Sequence, residues 1–357
     1  MKKTVLQVLL VLMVCSLVLE LPAPVQAIQD SIIINHTTID IKKIPDQWIT
    51  AIKSDTKGID YAYTSHGAYI ISGLAAWDSY DTKYAFATAK YGDIPAGTVL
   101  KIGNHNEYDY YYNYWNGPNG MANKQLSAST TVALNSGKFK YAMFEWCTEM
   151  STFRIEQVDS YLAAMESLEA EYPNIRFIYT TGHADAGASD GGVKCQANNA
   201  RIRSYSIANN KILFDYEDIG CHSPSGTDYL NNGCGIGYVN GYADECTYTG
   251  GNWCTAWKSA NPSSVFTTVA NYHPYEGHST TGLQASMKSG AFWWMMARLE
   301  GWNDFGITGD LPVSGDWNND GITEIGVYRP STHMFYLDYN GNSAWNGGLA
   351  DRSYNFG

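Results

Sequence analysis

Residues 58–77 read GIDYAYTSHGAYIISGLAAW, and their reading decides the fold. IDYAYTS (59–65) has the length and apolar content of a buried strand. It runs into a helix from about Ala68 to Trp77, with Ser65, His66 and Gly67 at the joint. A serine there has two uses. It can cap the helix that follows, or it can stand at the strand tip as a nucleophile, with Gly67 allowing close backbone approach and the helix N-terminus favouring negative charge.

Outward from that joint the same alternation continues. KFKYAMFEWC (138–147) is a second strand candidate. Ile155, Val158, Leu162, Met165, Leu168 and Tyr172 then step along one helical face that Pro173 ends. NIRFIYTTGH (174–183) reads as a strand, NNARIRSYSIANN (198–210) as a helix, and KILFDYEDI (211–219) as a strand ending in acids. The last long helix spans 281–302, its FWWMM cluster being core. Residues 28–50 look irregular, and 78–137 look like an insertion or a pair of strands. Strands alternating with helices predict a three-layer α/β/α parallel sheet. In such sheets the ligand crevice lies beyond the carboxyl ends of the strands. Ser65, Cys147 to Glu149, Thr181 to His183 and Asp215 to Asp218 are expected to share that edge.

The chain opens with Lys2 and Lys3, the apolar run VLQVLLVLMVCSLVLELP and VQA ending at Ala27, which predicts a secretory signal over 1–27; a retained anchor is the rival reading. Beyond Cys15 lie Cys147, Cys195, Cys221, Cys234, Cys246 and Cys254. In an exported chain these six suggest up to three disulfides, with pairing open. Zinc in the 221–254 segment is the rival, at spacings wider than the usual C-x2-C. NHT at Asn35 is a glycosylation sequon. A net charge of −12, 14% aromatics and no basic patch exclude a nucleic-acid partner and suit a polysaccharide or cell-surface glycan. No span of a membrane is expected after signal removal.

From 303 to 357 the texture changes to short strands and turns, and DFG (304–306) recurs as NFG (355–357), as in a β repeat. DWNNDGITE places Asp316, Asn318, Asp320 and Glu324 on alternate positions, with Gly321 for the turn and the Ile322 carbonyl as a further ligand. Oxygen donors so spaced suit Ca2+. The rival is an acidic turn that binds nothing.

Serine chemistry also needs a histidine, and His278, in NYHPYEGHSTTGLQ just before the last helix, ranks above His183 and His222. His66, beside Ser65, is expected to point away, and His273 and Glu276 flank His278. This order of strand, Ser, helix and late His resembles the SGNH (GDSL-like) hydrolases over residues 55–302, with 28–54 as a lead-in. The resemblance implies a flavodoxin-like fold and hydrolysis of esters, including acylated carbohydrates. It maps the nucleophile to Ser65 and the general base to His278; Glu276, which flanks that base, is the candidate to orient it, and Gly67, Gly103, Asn104 and Thr148 are the oxyanion candidates. The hydrolase chemistry needs no cofactor. The chain departs from the family in having Tyr63-Thr64-Ser65 for Gly-Asp-Ser and in the position of the acid. The tail, GDWNNDGITEIGVYRPST, resembles VCBS/FG-GAP repeats, which implies calcium binding and adhesion or carbohydrate contact. Two functions follow: a secreted or surface serine esterase, or an inactive SGNH-like surface protein that binds, with a calcium-stabilised repeat.

Overall fold

A computed structural model describes residues 31–63, 65–90, 93–106, 133–272, 277–302, 310–341 and 351–356, with the side chains of 104–106 left aside. In chain order the main elements are β1 (Ile32–Ile34), α1 (Asp46–Ser54), β2 (Gly58–Tyr63), α2 (Ala68–Tyr80), β3 (Phe86–Lys90), β4 (Leu100–Asn106) and β5 (Phe139–Glu145). Then come α3 (Glu149–Thr152), α4 (Ile155–Glu171), β6 (Arg176–Thr180), α5 (Val193–Ala208), β7 (Ile212–Phe214) and α6 (Tyr216–Gly220). The two hairpins β8–β9 (Gly237–Val239, Tyr242–Asp244) and β10–β11 (Thr247–Tyr248, Gly251–Asn252) precede α7 (Trp253–Ala260), α8 (Val265–Ala270) and α9 (Leu283–Leu299).

Seven parallel strands form one sheet in the order β1-β7-β6-β5-β2-β4-β3. Its central five, read as β4-β2-β5-β6-β7, follow the flavodoxin-like order, so the topological switch lies between β2 and β5. Alternate residues feed opposite layers. Tyr61, Tyr141, Ile178 and Phe214 pack with α2 and α9 on one face. Ala62, Phe144, Tyr179 and Leu213 pack with α4 and α5 on the other. This is a three-layer α/β fold.

Helix α9 is buried along almost its whole length, which is why Gln284, Ser286, Lys288 and Ser289 carry polar groups into the interior. It crosses α2 at Gly73, where a Cβ would meet the Ala285 carbonyl oxygen at 2.0 Å, so only glycine permits the approach.

Three local readings change. Residues 28–50, expected to be irregular, contribute the edge strand β1 and the start of α1; three isoleucines are too few to show a period, and Pro45 sits at the cap of α1. The strand expected over 211–219 stops at Phe214, because Asp215 turns the chain and its side chain accepts from the Asp218 N–H to open α6. Helix α5 begins at Val193, five residues ahead of the expected start at 198. Of the six cysteines expected to pair, four do, as Cys221–Cys234 and Cys246–Cys254. Cys147 and Cys195 remain buried free thiols, each already engaged: Cys147 Sγ lies 3.3 Å from His66 Nδ1, and Cys195 Sγ donates to the His183 carbonyl at 3.1 Å.

The tail forms a separate antiparallel sheet, β12 (Leu311–Gly315), β13 (Glu324–Arg329), β14 (Met334–Leu337) and β15 (Arg352–Asn355), a small β module. Residues 1–27, expected to be a secretory signal, lie outside the described residues, among which no helix is long and apolar enough to cross a membrane.

Candidate active site

Beyond the carboxyl end of β2, at the switch point, the chain makes a single 3-10 turn, Ser65–Gly67, before α2. Ser65 has φ +27°, a conformation that L-residues adopt only under constraint. Two buried tyrosines supply it: Tyr216 donates its hydroxyl to the His66 carbonyl at 2.6 Å, and Tyr61 donates to the Gly67 carbonyl at 2.8 Å. Gly67 is required there, because a Cβ would meet Tyr63 Cβ at 2.4 Å and Glu145 Cβ at 2.9 Å.

The serine does not cap α2. The cap position is Gly67, with no side-chain hydrogen bond, and Ser65 Oγ is hydrogen-bonded to His278 Nε2 instead. His278 is half-buried and packs against the Tyr242 ring, 4.0 Å between centroids. Burial, reinforced by nearby His183, holds its pKa below the ordinary 6.5, so the ring is a neutral acceptor at pH 7. A neutral His278 that accepts the serine proton at Nε2 carries its own proton on Nδ1, which is buried without a partner among the described residues. Glu276 and His273, the expected flanking groups, lie outside the described residues.

The other oxyanion candidates sit differently. Gly103 and Asn104 lie inside β4, paired with Asp60 and Tyr61, and so stand back from the edge that holds Ser65. Thr148 caps α3 directly after Cys147 and is at the edge. Gly67, at the start of α2, is the nearest to Ser65 in the chain.

The structure gathers the strand ends as the sequence placed them, and adds contacts it did not show. His66 stacks on His183 with centroids 3.7 Å apart, and its ring centroid lies 5.0 Å from that of His278. Burial holds His66 well below its ordinary pKa, hence neutral. At the neighbouring strand ends Thr181 donates to Asp215 at 3.0 Å, and Ser151 donates to Asp185 at 2.7 Å. His222, ranked below His278 as a partner, stacks instead on His36, with Asp218 beside both.

Under the Ser65 turn lies a buried ionisable layer that no local motif announces. Lys288 and Glu245 form a wholly buried ion pair. Glu245 also accepts from the Ala184 N–H at 3.1 Å, and Lys288 Nζ lies 3.5 Å from the Tyr216 ring centroid. Glu145, the last residue of β5, is fully buried, and neither carboxyl oxygen has a hydrogen-bond partner among the described residues. Burial raises its pKa well above the ordinary value, so it is a neutral acid.

Among the described residues, three groups bring ligand atoms within 4.8 Å of one another: His66, Cys147 and His183; His36, Asp218 and His222; and Asp316, Asp320 and Glu324. In the last, Asp316 accepts from the Asp320 and Gly321 N–H groups at 3.1 and 3.0 Å, and Glu324 Oε1 is buried without a partner. Three carboxylates with an orphaned inward oxygen fit a hard cation.

The sequence matches no protein-family model and no curated protein. Among solved structures, the periplasmic domain of a Salmonella ser. Paratyphi A lipopolysaccharide acetyltransferase aligns with a TM-score of 0.31 and 10% identity, over 50% of this chain and 73% of that one.

Proposed function

We propose that the protein is an exported serine esterase of the SGNH type, acting on an ester or acylated carbohydrate. The observation that carries this reading is the hydrogen bond between Ser65 Oγ, held at φ +27° on a tyrosine-anchored turn, and the neutral His278. Ser65 Oγ attacks the acyl carbon while its proton passes to His278 Nε2. The leaving alcohol then takes that proton, and water, deprotonated by the same nitrogen, hydrolyses the acyl-serine. Glu276 orients His278, and backbone N–H groups near Gly67 and Thr148 receive the oxyanion. Two disulfides suit an oxidising compartment, which agrees with a secreted or surface location. The acidic, aromatic-rich chain suits a glycan partner.

For the tail we propose a Ca2+ site in which Asp316, Asn318, Asp320 and Glu324 supply side-chain oxygens and Ile322 a carbonyl. The ion would cross-link the loop to β13, whose first residue is Glu324. Its role is to hold a VCBS/FG-GAP-type repeat together, with no part in hydrolysis.

The test is hydrolysis of p-nitrophenyl acetate and labelling by a fluorophosphonate, with the mature protein beside Ser65→Ala. Turnover and labelling lost in the variant are expected. Labelling that persists in Ser65→Ala overturns the assignment of the nucleophile, and a folded wild type without turnover or labelling leaves the binding-only reading.

A further inference from the structure

Beside Ser65 and His278, His66, Cys147 and His183 meet at the ends of β2, β5 and β6, all buried, with the His66 ring centroid 5.0 Å from that of His278. Their hydrogen bonds fix what each one offers. His66 Nε2 lies 2.9 Å from the Ala243 carbonyl and therefore carries the proton, which leaves a lone pair on Nδ1, 3.3 Å from Cys147 Sγ. His183 Nδ1 lies 2.9 Å from the Ala184 carbonyl and is protonated likewise. Its Nε2 keeps a lone pair, buried and with no hydrogen-bond partner among the described residues. Two imidazoles with tautomers set by backbone carbonyls bring their free nitrogens and a thiol sulfur within 4.8 Å of one another, and a backbone acceptor on the other ring nitrogen is the outer-shell contact of metal-ligating histidines.

We propose that His66 Nδ1, Cys147 Sγ and His183 Nε2 bind one divalent transition metal ion, with zinc the best match. A donor set of one sulfur and two nitrogens selects a borderline-soft ion over calcium or magnesium. On binding, the Cys147 S–H bond breaks, the sulfur bonds to the metal and the proton leaves to solvent. Three protein ligands leave one tetrahedral position for water or for the Ser65 hydroxyl, which adjoins the Cys147 thiol. The two rings now stack at 3.7 Å, closer than imidazoles sharing one ion, so uptake turns the His183 ring, whose Nε2 has no bond to lose. The proposal does not rest on the esterase assignment, since its three protein ligands are His66, Cys147 and His183, although the site adjoins Ser65 and His278.

Co2+ titrated into the chelator-treated full chain is the probe, because a thiolate ligand gives a sulfur-to-cobalt charge-transfer band that oxygen and nitrogen ligands do not. The expected result is a band saturating at one equivalent and bleached by Zn2+. It is retained in Ser65→Ala and in Cys195→Ser, which removes the other free thiol, and lost in Cys147→Ser. His183→Ala serves as a second ligand variant, weakening Co2+ binding at least tenfold while circular dichroism reports its fold. No band in the folded wild type, or a band lost in Cys195→Ser and kept in Cys147→Ser, overturns the proposal.

Discussion

Replacing Lys288 with methionine keeps the length of the side chain and removes its charge. Lys288 and Glu245 are both wholly buried, so Glu245 is left without its counter-ion in a place water does not reach. Breaking a buried pair by deleting one partner costs about 3–5 kcal/mol. Part of the Glu245 charge is still met by the Ala184 N–H at 3.1 Å, which places the expected loss toward the lower end. For a domain of this size that is a fall in Tm on the order of 10 °C. Adding Glu245→Gln removes the stranded charge yet retains an acceptor for Ala184, so the double variant should recover at least half of the loss. Urea denaturation followed by circular dichroism, run as a double-mutant cycle, measures both steps. A Lys288→Met protein within about 1 kcal/mol of wild type, or a double variant no more stable than the single, would refute the account of the layer beneath Ser65.

Three further outcomes are expected. Because burial holds His278 below pH 6.5, kcat/KM for p-nitrophenyl acetate should stay on its plateau at neutral pH and reach half its maximum below pH 6.5; a midpoint above 6.5 contradicts the neutral-base assignment. Burial pushes the Glu217 carboxyl from 4.5 up to about 8, with the Arg203 fork turned mainly to Asp215. An acid raised on folding is protonated longer in the native state, so its stabilisation is full below pH 4.5 and is lost as pH rises to about 8. Wild type should lose stability across that window, by up to about 1.4 kcal/mol per pH unit from this group, and Glu217→Gln should flatten the slope. Finally, Ca2+ should raise the Tm of the C-terminal module and EDTA should lower it, with Asp316→Asn abolishing the difference; an unchanged Tm on EDTA addition argues against the ion.

The sheet was legible because its strands are long enough to show which residues face which layer: Tyr141 and Met143 one way, Ala142 and Phe144 the other. Strand β1 was not, being three isoleucines whose strand identity comes wholly from pairing with β7, far along the chain. Ser65 and His278 could be paired from topology alone, since a strand tip and a loop before the last helix must both reach the carboxyl edge. The chemistry around them could not be read this way. What makes His66 and His183 metal-ready is the carbonyls of Ala243 and Ala184, and backbone acceptors leave no residue-type signal. Glu145, Glu245 and Lys288 looked like ordinary charged residues, because burial of charge is settled by tertiary packing. The run HADA at 183–186 and the pair WC at 146–147 are the sequence signals that pointed nearest to this cluster.

The two disulfides flank one short segment. Cys221–Cys234 lies on one side of residues 237–244 and Cys246–Cys254 on the other, and between them Tyr242 packs on His278 while Ala243 fixes the proton on His66. The two bridges therefore brace the site from both sides. With those cysteines reduced, the segment that holds both histidines is left to hydrogen bonds such as that from the Trp253 N–H to the Cys246 carbonyl at 2.8 Å and from Tyr238 to Asp185 at 2.7 Å. The proposed esterase should thus lose turnover to a mild reductant before the sheet unfolds.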